Sequence, residues 1–131
     1  KNVYVGGNIG RPLLADVADM VEEDYAVLEL SSFQLMTMTR SPHIAVMTNL
    51  SPNHLDVHKS YQEYIAAKEN IFTHQTAHDI AIFNVDNEET CRCAAKAPGR
   101  VRWFSRKKEV TDGVFLRARP SSAGMRRASG W

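Results

Sequence analysis

The chain has only two cysteines, Cys91 and Cys93, and no apolar run near the roughly 18 residues that a membrane-spanning helix needs. Side chains two positions apart on a helix point in different directions, which excludes a strain-free disulfide or a clean metal clip between the two thiols. They are expected to be plain thiols in a reducing cytosol. No Gly-Lys-Ser/Thr loop, G-x-G-x-x-G fingerprint or His-Glu-x-x-His pair occurs. The first residues, Lys-Asn-Val-Tyr, show no secretory pattern and no initial Met, so a piece of something longer is expected. Acid is missing from the last stretch: Arg117 to Trp131 has four arginines and no carboxylate. Subtracting those four charges from the net +1 leaves −3 on residues 1–116, which excludes nucleic-acid binding by charge for that part.

What is present is an alternation. VYVGG (3–7) reads as a strand ending in glycines, and Arg11 to Glu22 as a helix with Pro12 in its first turn. YAVLELSS (25–32) and HIAVMTNL (43–50) are near-continuous apolar runs of the kind found in central parallel strands. Tyr61 to His74 reads as a helix, IAIFNV (80–85) as a strand, and Asn87 to Lys96 as a helix. VRWFS (101–105) is a weaker strand and GVFL (113–116) a possible edge. Strands alternating with helices predict an α/β domain, a mostly parallel sheet with helices on both faces. Ligands then bind beyond the carboxyl ends of the strands, at Gly6 to Asn8, Glu29 to Gln34, Asn49 to His54 and Asn84 to Asn87. Residues 1–116 form the expected domain, and 117–131 an Arg/Ser-rich disordered tail, alternatively an RNA-binding arm or the product of a shifted frame.

Four features could carry chemistry. Lys68 falls at the centre of the helical stripe made by Tyr61, Tyr64, Ile65, Ile71 and Phe72. Either its stem lies on the core with the amine reaching out, or the amine has a partner or a modification. Glu29 interrupts a strand otherwise built for burial, which calls for a cation such as Mg²⁺, an edge position, or a salt bridge to Lys68. His54, Asp56 and His58 share one face of an extended loop, so a three-ligand metallohydrolase site competes with a polar loop. GGNIG (6–10) either brings backbone N–H groups to a phosphate or forms a tight turn.

GGNIGRP, VLELSSFQL, TNLSPNHLDVH, YIAAKENIF and FNVDN, in that order, resemble the central domain of the Mur ligases over residues 1–116. The resemblance implies an ATPase-type fold, ATP and Mg²⁺ as cofactors, and amide formation through an acyl phosphate. The nearest wording is that of the branch that joins D-glutamate to UDP-N-acetylmuramoyl-L-alanine, which implies a cytoplasmic monomer with no nucleic acid or membrane partner. By the same resemblance Glu29 binds Mg²⁺, His54 serves the second Mg²⁺ position, and Lys68 is carbamylated, with Lys68 and His54 in the catalytic centre. Asn8 and Ser31 would contact the UDP-muramoyl substrate, and Asn84 and Asn87 would lie near the adenine.

The family's phosphate-binding loop, which precedes GGNIG, and its flanking amino- and carboxy-terminal domains have no counterpart in these residues. The chain alone is therefore expected to be inactive, a non-catalytic remnant being the alternative. Loss of a strand and helix is expected to bare one edge of the sheet and leave marginal stability.

Overall fold

The computed structural model describes residues 1–51 and 60–117. Six strands run in sequence order: β1 (Val3–Gly7), β2 (Tyr25–Glu29), β3 (Ile44–Met47), β4 (Ile80–Asn84), β5 (Arg100–Ser105) and β6 (Gly113–Phe115). Between them lie a 3-10 helix (Leu14–Asp19), α1 (Ser32–Met36), α2 (Tyr61–Glu69) and α3 (Glu88–Ala94). Every pairing is parallel, as expected of strands joined by helical crossovers.

The sheet is divided. β1 pairs with β2 alone, while β3, β4, β5 and β6 form a second sheet in that order. The expected exposed edge is thus a pair of edges, β2 and β3, bordering one shared cavity. YAVLE, read as a central strand, is exposed along all five residues, and among the described residues it pairs with β1 alone.

The core sits in the second sheet. Ala81 and Phe83 of β4 are fully enclosed, and Phe72, just past α2, meets Phe83 edge-on at 5.3 Å. Tyr64 and Ala67 of α2, Cys93 and Ala94 of α3, and Leu50 complete the cluster. Burial of such groups at about 25 cal/mol per Å² is the main force that seats α2 and α3 on the sheet.

The helix expected over Arg11 to Glu22 is reduced to the 3-10 segment, closed by an Arg11–Asp16 ion pair of 2.6 Å. Its apolar residues Leu14, Val17 and Val21 are exposed. A helix this short depends on tertiary packing, and Leu13, tucked against Gly6, is the one apolar residue of the segment that is fully buried. By contrast α1 forms where the sequence reads as the end of a strand. Ser31 accepts from the Gln34 amide while Gln34 Oε1 accepts from the Ser31 amide, a reciprocal cap that starts the helix. The helix expected over Tyr61 to His74 ends at Glu69 and continues as turns.

Candidate functional site

The strand ends converge as the parallel topology requires. Gly7 has φ 118°, and a Cβ on it would lie 2.2 Å from the Glu29 carbonyl oxygen. Only glycine allows that approach. It lets the Asn8 amide donate to the same oxygen at 2.8 Å, fixing Asn8 over the carboxyl end of β2.

Asn8, Glu29, Ser31 and Lys68 then line one cavity of about 310 Å³, together with Ser32, Phe33 and Tyr64. Glu29 and Lys68 also border a second cavity, of about 440 Å³, whose far wall holds Thr48, Asn49 and Leu50. Four residues separated by up to 60 positions of sequence therefore share one hollow.

Lys68 does not reach out to solvent along the core. Its Nζ donates to the Leu30 carbonyl at 3.2 Å, turned toward the end of β2. Burial lowers its pKa, and the charge of Glu29 acts in the opposite sense. The two do not close an ion pair, so the salt-bridge reading of Glu29 falls away, while its partnership with a cation stays open. Asn70 Nδ2, donating to the Leu35 carbonyl at 2.9 Å, clamps the end of α2 onto α1 and so holds Lys68 in place.

Asn84 and Asn87 form a separate cluster. Asn87 caps α3 by accepting from the Thr90 amide at 2.9 Å, and its Nδ2 donates to Asn49 Oδ1 at 2.7 Å and the Leu50 carbonyl at 3.0 Å. Asn84 Nδ2 donates to the Thr48 carbonyl at 3.0 Å, and its Oδ1 accepts from the Asp86 amide at 2.9 Å. Both amides are thus used to hold the β3 and β4 ends together. Neither lines the Glu29–Lys68 cavities. His54, Asp56 and His58 lie outside the described residues. Among the described residues no three His, Cys, Asp or Glu side chains gather to hold a metal.

The model of the Mur ligase middle domain matches residues 5–126 of this chain, nearly its whole length.

The chain belongs to the Mur ligase family.

It is 54% identical over 114 residues to the UDP-N-acetylmuramoylalanine–D-glutamate ligase of Acetivibrio thermocellus, covering 87% of this chain and 24% of that protein. It is 52% identical over 113 residues to the ligase of the same name from Clostridium novyi, covering 86% of this chain and 25% of that one. The chain thus spans about a quarter of the length of these curated relatives. A crystal structure of MurF from Acinetobacter baumannii superposes with a TM-score of 0.58 over 88% of this chain and 32% of that one. At 15% identity the likeness is one of fold, and it establishes the α/β architecture.

Three lining residues of the smaller cavity, Ser32, Phe33 and Tyr64, are not candidates from sequence. Tyr64 lies one helical turn before Lys68, where its place in the apolar stripe hid its second role as a cavity wall. Phe33 became a wall through α1, and the Ser31-x-x-Gln34 spacing was the available signal.

Proposed function

We propose that this chain is the central part of an ATP-dependent ligase of peptidoglycan synthesis, which joins D-glutamate to UDP-N-acetylmuramoyl-L-alanine. The observation that carries the proposal is its 54% identity, across 87% of the chain, to a ligase of that name. The convergence of Asn8, Glu29, Ser31 and Lys68 on one cavity supports the assignment of roles. In this reading the substrate carboxylate takes a phosphoryl group from ATP, and the amine of D-glutamate displaces phosphate from the acyl phosphate. The product serves cell-wall growth, and so cell shape and division, from the cytoplasm, with the enzyme acting as a monomer.

The donor set suits Mg²⁺. Glu29 presents carboxylate oxygen atoms at the cavity, and hard oxygen donors are what Mg²⁺ takes. Lys68 as an ammonium would repel the ion. Burial, however, favours its neutral form, the form that adds carbon dioxide to become an anionic carbamate, and a carbamylated Lys68 would supply a further oxygen. His54 would complete the set. When bound, Mg²⁺ neutralises charge on the transferring phosphoryl group. Asn8 and Ser31 would hold the UDP-muramoyl end of the substrate. Asn84 and Asn87 would act near the adenine by setting the shape of the β3 and β4 ends, since their amides are already engaged there. A metallohydrolase built on His54, Asp56 and His58 gains no support from the relatives.

A domain exchange tests the proposal. Residues 1–116 replace the matching stretch of the Acetivibrio thermocellus ligase, and phosphate release is measured with ATP, Mg²⁺, UDP-N-acetylmuramoyl-L-alanine and D-glutamate. Release that depends on D-glutamate is expected, with Glu29→Gln or Lys68→Ala lowering it by about a hundredfold or more. A folded hybrid without D-glutamate-dependent release would end this reading.

A further inference from the structure

Lys68 and Asn70 leave the end of α2 two residues apart, a spacing at which side chains diverge. Here they reach opposite ends of α1. Lys68 Nζ donates to the Leu30 carbonyl at 3.2 Å, just before α1 begins. Asn70 Nδ2 donates to the Leu35 carbonyl at 2.9 Å and, more weakly, to the Met36 carbonyl at 3.5 Å, where α1 ends. A helix of five residues does not hold itself in water, so its place depends on such outside contacts. Its last carbonyls lie where the helical ladder stops and are free to accept from another element. Asn70 is itself anchored: its own carbonyl accepts from Ser41 Oγ at 3.0 Å, and that hydroxyl oxygen accepts from the His74 amide at 3.0 Å. The residue between the two, Glu69, turns toward α3 instead, meeting Lys96 Nζ at 2.6 Å and Cys93 Sγ at 3.5 Å.

We propose that Asn70 is a positioning residue that makes α1 and Lys68 one unit: its grip on the end of α1 fixes the spacing between the two helices and so seats the Lys68 amine at the end of β2. The same grip holds two walls of the smaller cavity, because α1 carries Ser31 at its cap and Phe33 in its first turn. A shift of α1 therefore moves those walls and the amine together. The residue type follows from the chemistry of the contact. Carbonyl oxygens only accept, so the gripping side chain must donate, which an asparagine amide does and an ionised aspartate of the same shape does not. The inference deepens the role given to Lys68 above and takes its catalytic meaning from that reading, but the position of the amine is measured without it.

The test uses the full chain with ¹³C at the lysine Cε atoms, followed by NMR across pH, with Lys68 assigned through Lys68→Arg. In the parent chain Lys68 should titrate below the other lysines, since burial lowers its pKa. Asn70→Ala should raise that midpoint toward an ordinary lysine's. In the same variant, amide exchange at Leu35 should quicken by about threefold or more, the effect of losing one hydrogen bond. Asn70→Gln keeps a donor and should recover part of both changes. Lys96→Gln loosens the same turn from the α3 side and should leave both readouts as they are in the parent. An ordinary Lys68 titration in the parent, a change in one readout of Asn70→Ala without the other, no recovery in Asn70→Gln, or an equal change in Lys96→Gln would each overturn the proposal.

Discussion

Asn87 shows how one side chain can settle a loop. Its side-chain oxygen Oδ1 caps α3 and its Nδ2 bridges to Asn49 and Leu50, across 38 and 37 positions of sequence. Asn87→Ala removes both functions, and the cap alone is worth about 0.5–2 kcal/mol. A urea midpoint lowered to match is the expected result, with Asn87→Asp, which can keep the cap, falling less. Cys93 offers a second prediction. Burial pushes its thiol up to about 12, helped by the charge of Glu69 and a 3.5 Å bond to it. The native chain should therefore react with a thiol reagent at pH 8 at Cys91 alone, and at both cysteines only in denaturant. Rapid labelling of Cys93 in the folded chain would refute that. The sequence supported treating both as plain thiols, because their spacing rules out joint chemistry. Which one is sealed off depends on α3 packing against Glu69 of α2, a contact 24 residues distant.

At the scale of elements, the strands were legible because apolar runs bounded by Gly, Asn and Ser leave few alternatives. The helices were less so. Over residues 11–22 the periodicity is real, but an apolar stripe makes a helix only against a surface that takes it. Over residues 31–36 a two-way cap outweighed strand propensity. Lys68 was visible as an oddity on its stripe, yet its orientation depends on where β2 and α1 end, and no periodicity reports that. Phe72, fully buried against Phe83, ties the segment after α2 to β4. Phe72→Ala should cost about 3–5 kcal/mol, read as a lower denaturation midpoint. A loss under about 1 kcal/mol would mean that the segment does not anchor α2.

For the whole molecule, stability should fall in acid. At the amino-terminal side of β4, Asp79 accepts from the Thr76 amide at 2.7 Å, from His43 Nδ1 at 2.7 Å and from the Thr76 hydroxyl at 2.9 Å. These bonds lower its pKa from 3.8 to about 2. A carboxylate with a depressed folded pKa stabilises fully above its unfolded value and loses that contribution as pH falls toward the folded one. The urea midpoint should therefore drop between about pH 4 and pH 2, and Asp79→Asn should show a shallower drop from a lower starting point. An acid limb of unchanged slope in the variant would exclude Asp79 as a cause. The divided sheet also bears on heat: with the facing edges of β2 and β3 unpaired among the described residues, a melting midpoint below about 65 °C is expected, within the usual mesophile range.

The sequence by itself determined the α/β class, the order of the strands along the chain and the residues worth watching. Periodicity, turn residues and motif spacing are local properties, and they survive without coordinates. Only the tertiary structure decided that Asn8, Glu29, Ser31 and Lys68 share a cavity, that Asn84 and Asn87 brace strand ends instead of lining it, and that the sheet opens between β2 and β3. Those outcomes depend on which strand lies beside which, and adjacency in a parallel sheet is set by crossovers and packing between segments far apart in the chain.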